Sequence, residues 1–113
     1  MPTFAVYTNL PNDKVPGDFL QQASAFLANQ LGKPESYVTV RVHPGQMMTH
    51  GGSSDLCASV ELYNITDGAK NKEHAAAIAK FVESKLSIPQ NRFYVTFTNL
   101  RREDVALDGK TFA

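Results

Sequence analysis

The chain of 113 residues contains one cysteine, Cys57, and no tryptophan. A single cysteine excludes an intramolecular disulfide and a metal site built from cysteines alone. The three histidines, His43, His50 and His74, are scattered without the spacing of metal ligands. The sequence therefore predicts neither a disulfide framework nor a metal centre.

An excess of either charge is also lacking, because 11 basic residues are balanced by 11 acidic ones. No basic stripe with interleaved aromatic residues occurs, so nucleic acid is not expected as a partner. The adjacent arginines Arg101 and Arg102 are followed by Glu103 and Asp104, and we interpret this segment as a solvated turn.

Long apolar runs are missing as well. The first residues contain neither the basic segment nor the apolar stretch of a signal peptide. No segment approaches the roughly 20 apolar residues that cross a membrane. We therefore expect no membrane insertion and a cytoplasmic location, and a chain of this length is expected to form a single domain over residues 1–113.

The chain does contain an alternation of strand and helix patterns. A strand is predicted over residues 3–10, followed by a helix with Asp18 as its N-cap and apolar residues at helical spacing. Gly32 and Pro34 mark the end of this helix, and a second strand is predicted over 37–42.

The same order then recurs. The next three elements are expected to be a strand, a helix and a strand: residues 56–65, 71–86 and 92–100. The tail, residues 105–113, predicts a small hairpin that turns at Asp108–Gly109. We interpret the chain as a pseudo-repeat of residues 1–43 and 56–100.

Two tandem βαβ units with right-handed crossovers give an α/β fold, with a four-stranded mixed sheet and both helices on one face. The predicted strands contain eight apolar residues, which are Phe4, Val6, Val38, Val40, Val60, Leu62, Val95 and Phe97. Two helices cannot cover all of them, so we interpret the strands as apolar on both faces of the sheet. The chain has no third helix, so we expect further copies of itself to cover the second face, which predicts a homo-oligomer.

The first residues, Met1-Pro2-Thr3-Phe4, are the candidate for chemistry. If Met1 is removed, which a small second residue favours, Pro2 carries a free secondary amine on a rigid ring. An α-amino group has a pKa of roughly 7.7–8.0, and burial or a nearby lysine lowers it further. A neutral base of this kind suits proton abstraction beside a carbonyl. Many proteins begin Met-Pro without such a role, and with Met1 retained Pro2 is an amide.

Short stretches in register along the whole chain carry a family resemblance. They are Met1-Pro2, Thr8-Asn9-Leu10-Pro11, Val15-Pro16, Gly32-Lys33-Pro34 with Tyr37, Gly51-Gly52-Ser53-Ser54 with Cys57-Ala58, and Thr111-Phe112-Ala113. Together they resemble the macrophage migration inhibitory factor family. The resemblance implies a homotrimer whose sheets wall a central channel, and a keto–enol tautomerase of phenylpyruvate or dopachrome type that uses no cofactor. It places the substrate pockets at the subunit interfaces.

The resemblance also implies site residues. Pro2 matches the catalytic base. Lys33 matches the lysine that lowers the pKa of this proline and pairs with a substrate oxygen. Ile65 matches a residue whose backbone N–H binds a substrate oxygen. Four residues match aromatic and apolar walls of the pocket: Tyr37, Tyr94, Val105 and Phe112. Of these, Tyr94 would come from a neighbouring subunit. Taken without the resemblance, Lys33 is better interpreted as a lysine that complements a helix dipole, and nothing separates the wall residues from core residues.

Several positions depart from the family pattern. Thr96 stands in place of an asparagine that binds a substrate phenol, and Leu107 in place of a pocket tryptophan, which removes stacking surface. Asn64 takes the place of a small serine beside Ile65. Cys57 lacks the second cysteine of the Cys-x-x-Cys that some members carry, so thiol–disulfide activity is not expected.

Three functions remain open at this point. The first is a tautomerase of small aromatic 2-oxo acids or enols that also signals as a cytokine, secreted without a signal peptide. The second is a cytokine homologue that binds a cell-surface receptor and keeps a vestigial pocket. The third is a ferredoxin-like binding module, which the double βαβ pattern alone permits and which gives Pro2 no role.

Overall fold

A computed structural model describes the whole chain, residues Met1–Ala113. Its helices and strands, in chain order, are β1 (Thr3–Thr8), α1 (Phe19–Leu31), β2 (Thr39–His43), β3 (Ala58–Ile65), α2 (Asn71–Leu86), β4 (Phe93–Leu100), β5 (Ala106–Leu107) and β6 (Lys110–Thr111). Neither of the two helices has the length and apolar character that crossing a membrane requires.

The sheet is four-stranded and mixed, with the strand order β2-β1-β3-β4. β1 pairs parallel with β2, β3 pairs parallel with β4, and the two central strands, β1 and β3, pair antiparallel. The predicted pair of βαβ units is thereby confirmed. The short strands β5 and β6 form the hairpin predicted for the tail, and Asp108 and Gly109 at its turn both have positive φ.

The end of α1 determines where the next residues lie. Gly32 adopts the left-handed conformation with φ of 63°, and its N–H bonds to the carbonyl oxygens of Ala28 and Asn29. The N–H of Lys33 also bonds to Ala28, at 3.0 Å. This helix termination was predicted from Gly32. Asp18 occupies the N-cap position as predicted, although its side chain caps no backbone N–H.

Several predicted strand ends were wrong. β1 stops at Thr8 because the Thr8 hydroxyl donates to the carbonyl oxygen of Cys57, at 2.7 Å, and accepts from the N–H of Leu10, at 3.1 Å. The sheet contacts of β2 begin only at Thr39, because the chain first makes a 3-10 turn over Glu35–Tyr37. β3 and β4 likewise begin later than predicted, at Ala58 and Phe93.

The apolar strand residues do not divide between two faces, contrary to expectation. Residues paired across neighbouring strands lie on the same face of a sheet. The register aligns the apolar residues in two rows across the four strands, which are Val40–Phe4–Leu62–Phe97 and Val42–Val6–Val60–Val95. All of them, with Val38, pack in or against the one core.

The other face of the sheet is polar and aromatic rather than apolar. Tyr7 stacks on His43 with ring centroids 4.4 Å apart. The Tyr63 hydroxyl donates to Glu61 at 3.3 Å, and the charge of Glu61 raises the pKa of Tyr63. The sheet therefore has no uncovered apolar face, and the argument for a homo-oligomer that was based on such a face does not hold.

Candidate functional site

The start of the chain is fixed to the sheet. Pro2 is fully buried, and its carbonyl oxygen accepts a hydrogen bond of 3.0 Å from the N–H of Thr39. β1 begins at the next residue, where Thr3 pairs with Thr39 on one side and with Tyr63 on the other. The terminal amine is thereby confined to one end of the sheet.

The strand directions bring the end of α1, the start of β2 and the ends of β3 and β4 to that same end of the sheet. Because β2 is parallel to β1, α1 delivers Lys33 to the sheet end at which both strands begin. Because β3 and β4 run the opposite way, both strands finish there, at Ile65 and Leu100. The C-terminal tail therefore leaves the sheet beside the N-terminus.

A cleft of ≈ 220 Å³ lies where these segments meet, and we call it the N-terminal cleft. Its lining residues are Met1, Lys33, Pro34, Tyr37, Ile65, Arg102 and Phe112. The ring of Phe112 meets that of Tyr37 edge-on, with centroids 6.0 Å apart. Backbone bonds from the Phe112 N–H to the carbonyl oxygens of Arg102 and Val105 keep the tail in this position.

A second cavity of ≈ 240 Å³ adjoins the cleft and shares Met1, Tyr37 and Phe112 with it. Val105 and Leu107, both assigned to the site from the sequence, line this second cavity. The two spaces together have an aromatic and apolar wall with one end near the amine, which suits a small flat molecule.

The electrostatics of the cleft favour a neutral amine. The pKa of the α-amino group of Met1 is lowered from its usual value, first by burial and then by the positive charge of Lys33. Burial removes the water that stabilises the protonated form, and a neighbouring cation repels it. Both effects act on the amine of Met1 in the chain that the structure describes.

Two predicted site residues lie away from the cleft within one chain. Tyr94 and Thr96 stand on the polar face of β4, and Tyr94 is 75% exposed. Tyr94 pairs through Ser59 with Tyr7, toward the opposite end of β1 from the cleft. One chain alone therefore does not bring Tyr94 or Thr96 to the other site residues.

Asn64 stands apart in another way. Successive side chains alternate along a strand, so Asn64 points to the helix side while its neighbour Ile65 points away from it. Asn64 is 6% exposed, and its Oδ1 has no hydrogen-bond partner. It lines a third cavity, of ≈ 390 Å³, which also contacts Lys33 and Ile65.

Arg102 is the site residue that sequence reasoning missed. Its guanidinium donates to the Phe112 carbonyl oxygen at 3.4 Å and lines the N-terminal cleft. Arg101, by contrast, is exposed and pairs with Asp104 at 2.9 Å and with Glu103 at 3.9 Å. The segment is a solvated turn, as predicted, because residues 101–104 are all exposed, but Arg102 in addition lines the cleft. The sequence Arg101-Arg102-Glu103-Asp104 contains no signal that separates Arg102 from Arg101.

Comparison with known proteins identifies relatives over the full length. The family model described as macrophage migration inhibitory factor matches residues 1–113. A macrophage migration inhibitory factor homolog of Brugia malayi is 42% identical, with 99% of both chains covered, and macrophage migration inhibitory factor of Xenopus tropicalis is 36% identical over both complete chains. The solved structure of the factor from Trichinella spiralis superposes with a TM-score of 0.93 at 38% identity, covering 97% of this chain and 99% of that one.

Proposed function

Because the chain belongs to the macrophage migration inhibitory factor family, and so to the tautomerase superfamily, we propose that it is a keto–enol tautomerase whose base is the amine of Pro2 after removal of Met1. The observation that carries the proposal is one cleft that joins the terminal amine, Lys33 and Ile65. While Met1 is present, the terminal amine is that of Met1, which lines the cleft. Removal of Met1 transfers the amine to Pro2, the residue directly before β1.

The proposed reaction needs no cofactor. The neutral Pro2 nitrogen removes a proton from the carbon beside the carbonyl of a 2-oxo acid, breaking a C–H bond and leaving an enolate. The Lys33 ammonium and the Ile65 N–H stabilise the negative oxygen. The protonated Pro2 then returns the proton to that oxygen, and the enol leaves. The reverse sequence converts the enol to the ketone.

The proposed substrates are small aromatic 2-oxo acids or their enols, of phenylpyruvate or dopachrome type. Lys33 and Arg102 supply two positive charges at the cleft for a carboxylate, and neither has an acidic side chain as ion-pair partner. Tyr37 and Phe112 supply aromatic walls for a ring. Leu107, in place of a pocket tryptophan, leaves the adjoining cavity with less stacking surface.

We also propose that the working unit is a homotrimer. Family membership supports a homo-oligomer, and a neighbouring chain would supply Tyr94 and Thr96, which the chain's own cleft does not include. The family further supports a cytokine-like role, with secretion without a signal peptide and a cell-surface receptor as partner.

The experiment compares enol–keto conversion of phenylpyruvate by the protein and by Pro2→Gly, each with removal of Met1 confirmed by mass spectrometry. We expect Pro2→Gly to lose about 10²–10⁴-fold in kcat/KM, because the ring amine is the base. Pro11→Gly, at an exposed proline outside the cleft, is the matched control and should keep its activity.

Equal rates for the protein and Pro2→Gly would exclude Pro2 as the base. If neither protein is active, the pocket is vestigial and receptor signalling is the remaining function. Signalling that survives in Pro2→Gly while catalysis is lost would separate the two roles.

A further inference from the structure

The connection from β2 to β3 ends in a short loop of residues 50–56, which we call the 50–56 loop. It turns at Gly51 and Gly52, which both have positive φ. Two backbone hydrogen bonds, of 2.9 and 3.1 Å, join His50 and Ser53 across this turn. No residue of the loop lines the N-terminal cleft or the cavity that adjoins it, so the proposed site does not account for this structure.

Arg92, directly before β4, holds the main chain of this loop. Its half-buried guanidinium donates hydrogen bonds to the carbonyl oxygens of four loop residues: His50 at 2.7 Å, Asp55 at 3.0 Å, Ser53 at 3.1 Å and Leu56 at 3.4 Å. A guanidinium presents five N–H donors in a fixed fork, which suits a set of acceptors arranged around it. The path of the loop therefore depends on one side chain.

The bonding of Arg92 differs from that of an ion-paired surface arginine. The ion pairs of the chain are all made by Arg101, so Arg92 has no carboxylate partner, although Asp55 belongs to the loop that it holds. Withdrawing a guanidinium from water without an anion costs free energy, which hydrogen bonds to carbonyl oxygens offset. This arrangement therefore supplies a fixed loop position rather than a charge pair.

Asn9, directly after β1, holds the other end of the loop. Its side-chain amide donates to the carbonyl oxygens of Ser54 at 2.9 Å and Asp55 at 3.2 Å, and its Oδ1 accepts from the N–H of Cys57 at 2.9 Å. None of these bonds reaches the turn over residues 50–53. Among the hydrogen bonds of the chain, only those of Arg92 join this turn to residues outside the loop.

The turn carries His50, whose ring lies against that of Tyr94 with centroids 5.4 Å apart. Tyr94 stands on β4, an edge strand, and its cross-strand neighbour on the same face is the small Ser59. His50 is the one aromatic contact of Tyr94 within the chain. Because ring pairs at this distance attract each other, His50 restricts the directions that the exposed Tyr94 ring takes.

We propose that Arg92 is a positioning residue, which fixes the 50–56 loop and thereby holds His50 against Tyr94. The Tyr94 ring is then presented in the orientation in which it enters the cleft of a neighbouring chain, and Arg92 itself does not touch the substrate. A ring that is already oriented loses less conformational freedom when it becomes part of a binding wall, so an aromatic substrate binds more tightly. The inference rests on the proposed function, in which a neighbouring chain supplies Tyr94.

The kinetic test is a double-mutant cycle of Arg92→Lys and Tyr94→Ala, read as kcat/KM for phenylpyruvate. A lysine keeps the positive charge but has no fork of donors, so it does not hold the four carbonyl oxygens together. Arg92→Lys should lower kcat/KM about threefold to tenfold in the parent. It should cause no further loss in the Tyr94→Ala protein, because the ring through which it acts is then absent. Arg41→Lys, at an exposed arginine of β2 outside the loop, is the matched control and should keep the parent value.

His50→Ala tests the contact between the rings without breaking the loop, because all four bonds of Arg92 go to main-chain oxygens and remain. It should lower kcat/KM by about the same factor as Arg92→Lys, and the two changes together should do no more than either alone. Full activity of His50→Ala, or a further loss from Arg92→Lys in the Tyr94→Ala protein, would overturn the proposal. The His50→Ala result decides even if Arg92→Lys fails to fold.

The position of the Tyr94 ring is also measured without a substrate, by NMR. The parent should give a nuclear Overhauser effect between the ring protons of His50 and Tyr94, and Arg92→Lys should lose it. Hydrogen exchange of the His50 and Ser53 amides, which bond across the turn, should be about tenfold faster in Arg92→Lys. An unchanged ring contact in Arg92→Lys would contradict the proposal. If the chain has no tautomerase activity, the proposed function fails, whereas the ring contact still decides whether Arg92 positions Tyr94.

Discussion

Lys33 lines both the N-terminal cleft and the third cavity, of ≈ 390 Å³. The left-handed Gly32 ends α1 one residue earlier and turns the chain, so that the Lys33 side chain lines both spaces. Its positive charge lowers the pKa of the terminal amine, in addition to the effect of burial. A lysine placed here therefore acts on the terminal amine and attracts an anion.

Arg102 is expected to contribute to substrate affinity through its charge. Arg102→Ala should raise KM for phenylpyruvate about threefold to tenfold with kcat nearly unchanged, because an exposed cation strengthens ground-state and transition-state binding alike. The measurement is steady-state kinetics at low ionic strength, and added salt should narrow the difference.

Arg101→Ala is the matched control for this charge, because Arg101 pairs with Asp104 and Glu103 and is not part of the cleft lining. Equal effects of the two substitutions would mean that Arg102 acts only through the net charge of the protein.

Recognition of the site residues from sequence depended on motifs that match the family. Lys33, Tyr37, Ile65 and Phe112 were assigned in this way, and the structure brings all four to one cleft. Arg102 was not found, because its direction is set by the 3-10 turn over residues 102–104 and by contact with the tail. Neither of these follows from the local charge pattern.

At the scale of the elements, the segment between β3 and α2 forms a wall of the third cavity. Its conformation depends on Gly68, which has φ of 82°. A Cβ at this position would lie 2.6 Å from Nδ2 of Asn99, whose Oδ1 accepts a hydrogen bond of 3.3 Å from Asn71. The segment therefore accommodates glycine alone without rearrangement.

Gly68→Ala should lower the free energy of unfolding by about 1–3 kcal/mol, since it adds both a strained φ and a close contact. Urea denaturation at fixed protein concentration measures the change. Gly17→Ala is the control: Gly17 has no positive φ and no atom within 4 Å of an added Cβ, so its stability should stay near that of the parent. A neutral result for Gly68→Ala would show that the segment rearranges freely.

Helices were easier to predict from sequence than strand ends. The bounds of α2 agree with the prediction, because turn residues precede it and Ile88-Pro89 follows it. The strand ends were wrong because tertiary hydrogen bonds decide them, as in the contact of Thr8 with Cys57. A local pattern does not contain the partner of such a bond.

At the scale of the whole molecule, the sheet has one face packed by the helices and one polar face. The apolar strand residues were assigned to both faces because their number was counted without the register. The register then placed them on a single face. The proposed trimer consequently rests on the family and on the position of Tyr94, rather than on uncovered apolar surface.

We expect sedimentation velocity at micromolar concentration to give a particle of three times the 12.4 kDa chain. Tyr94→Ala should then reduce kcat/KM for phenylpyruvate although Tyr94 lies outside the cleft of its own chain, because a neighbouring chain supplies its ring. A monomer with full activity would refute the trimer and the shared site together.

The central claim is that an amine beside Lys33 is the catalytic base. Its most direct test is the pH dependence of kcat/KM for phenylpyruvate between pH 5 and about 9, with Met1 confirmed absent, for the protein and for Lys33→Gln. The amine is a base only when it has lost its proton, so activity should rise with pH through a pKa below the roughly 7.7–8.0 of a free α-amino group. Removing the positive charge of Lys33 should move this rise to higher pH. A profile that is the same in both proteins, or activity that falls as pH rises through this range, would contradict the claim.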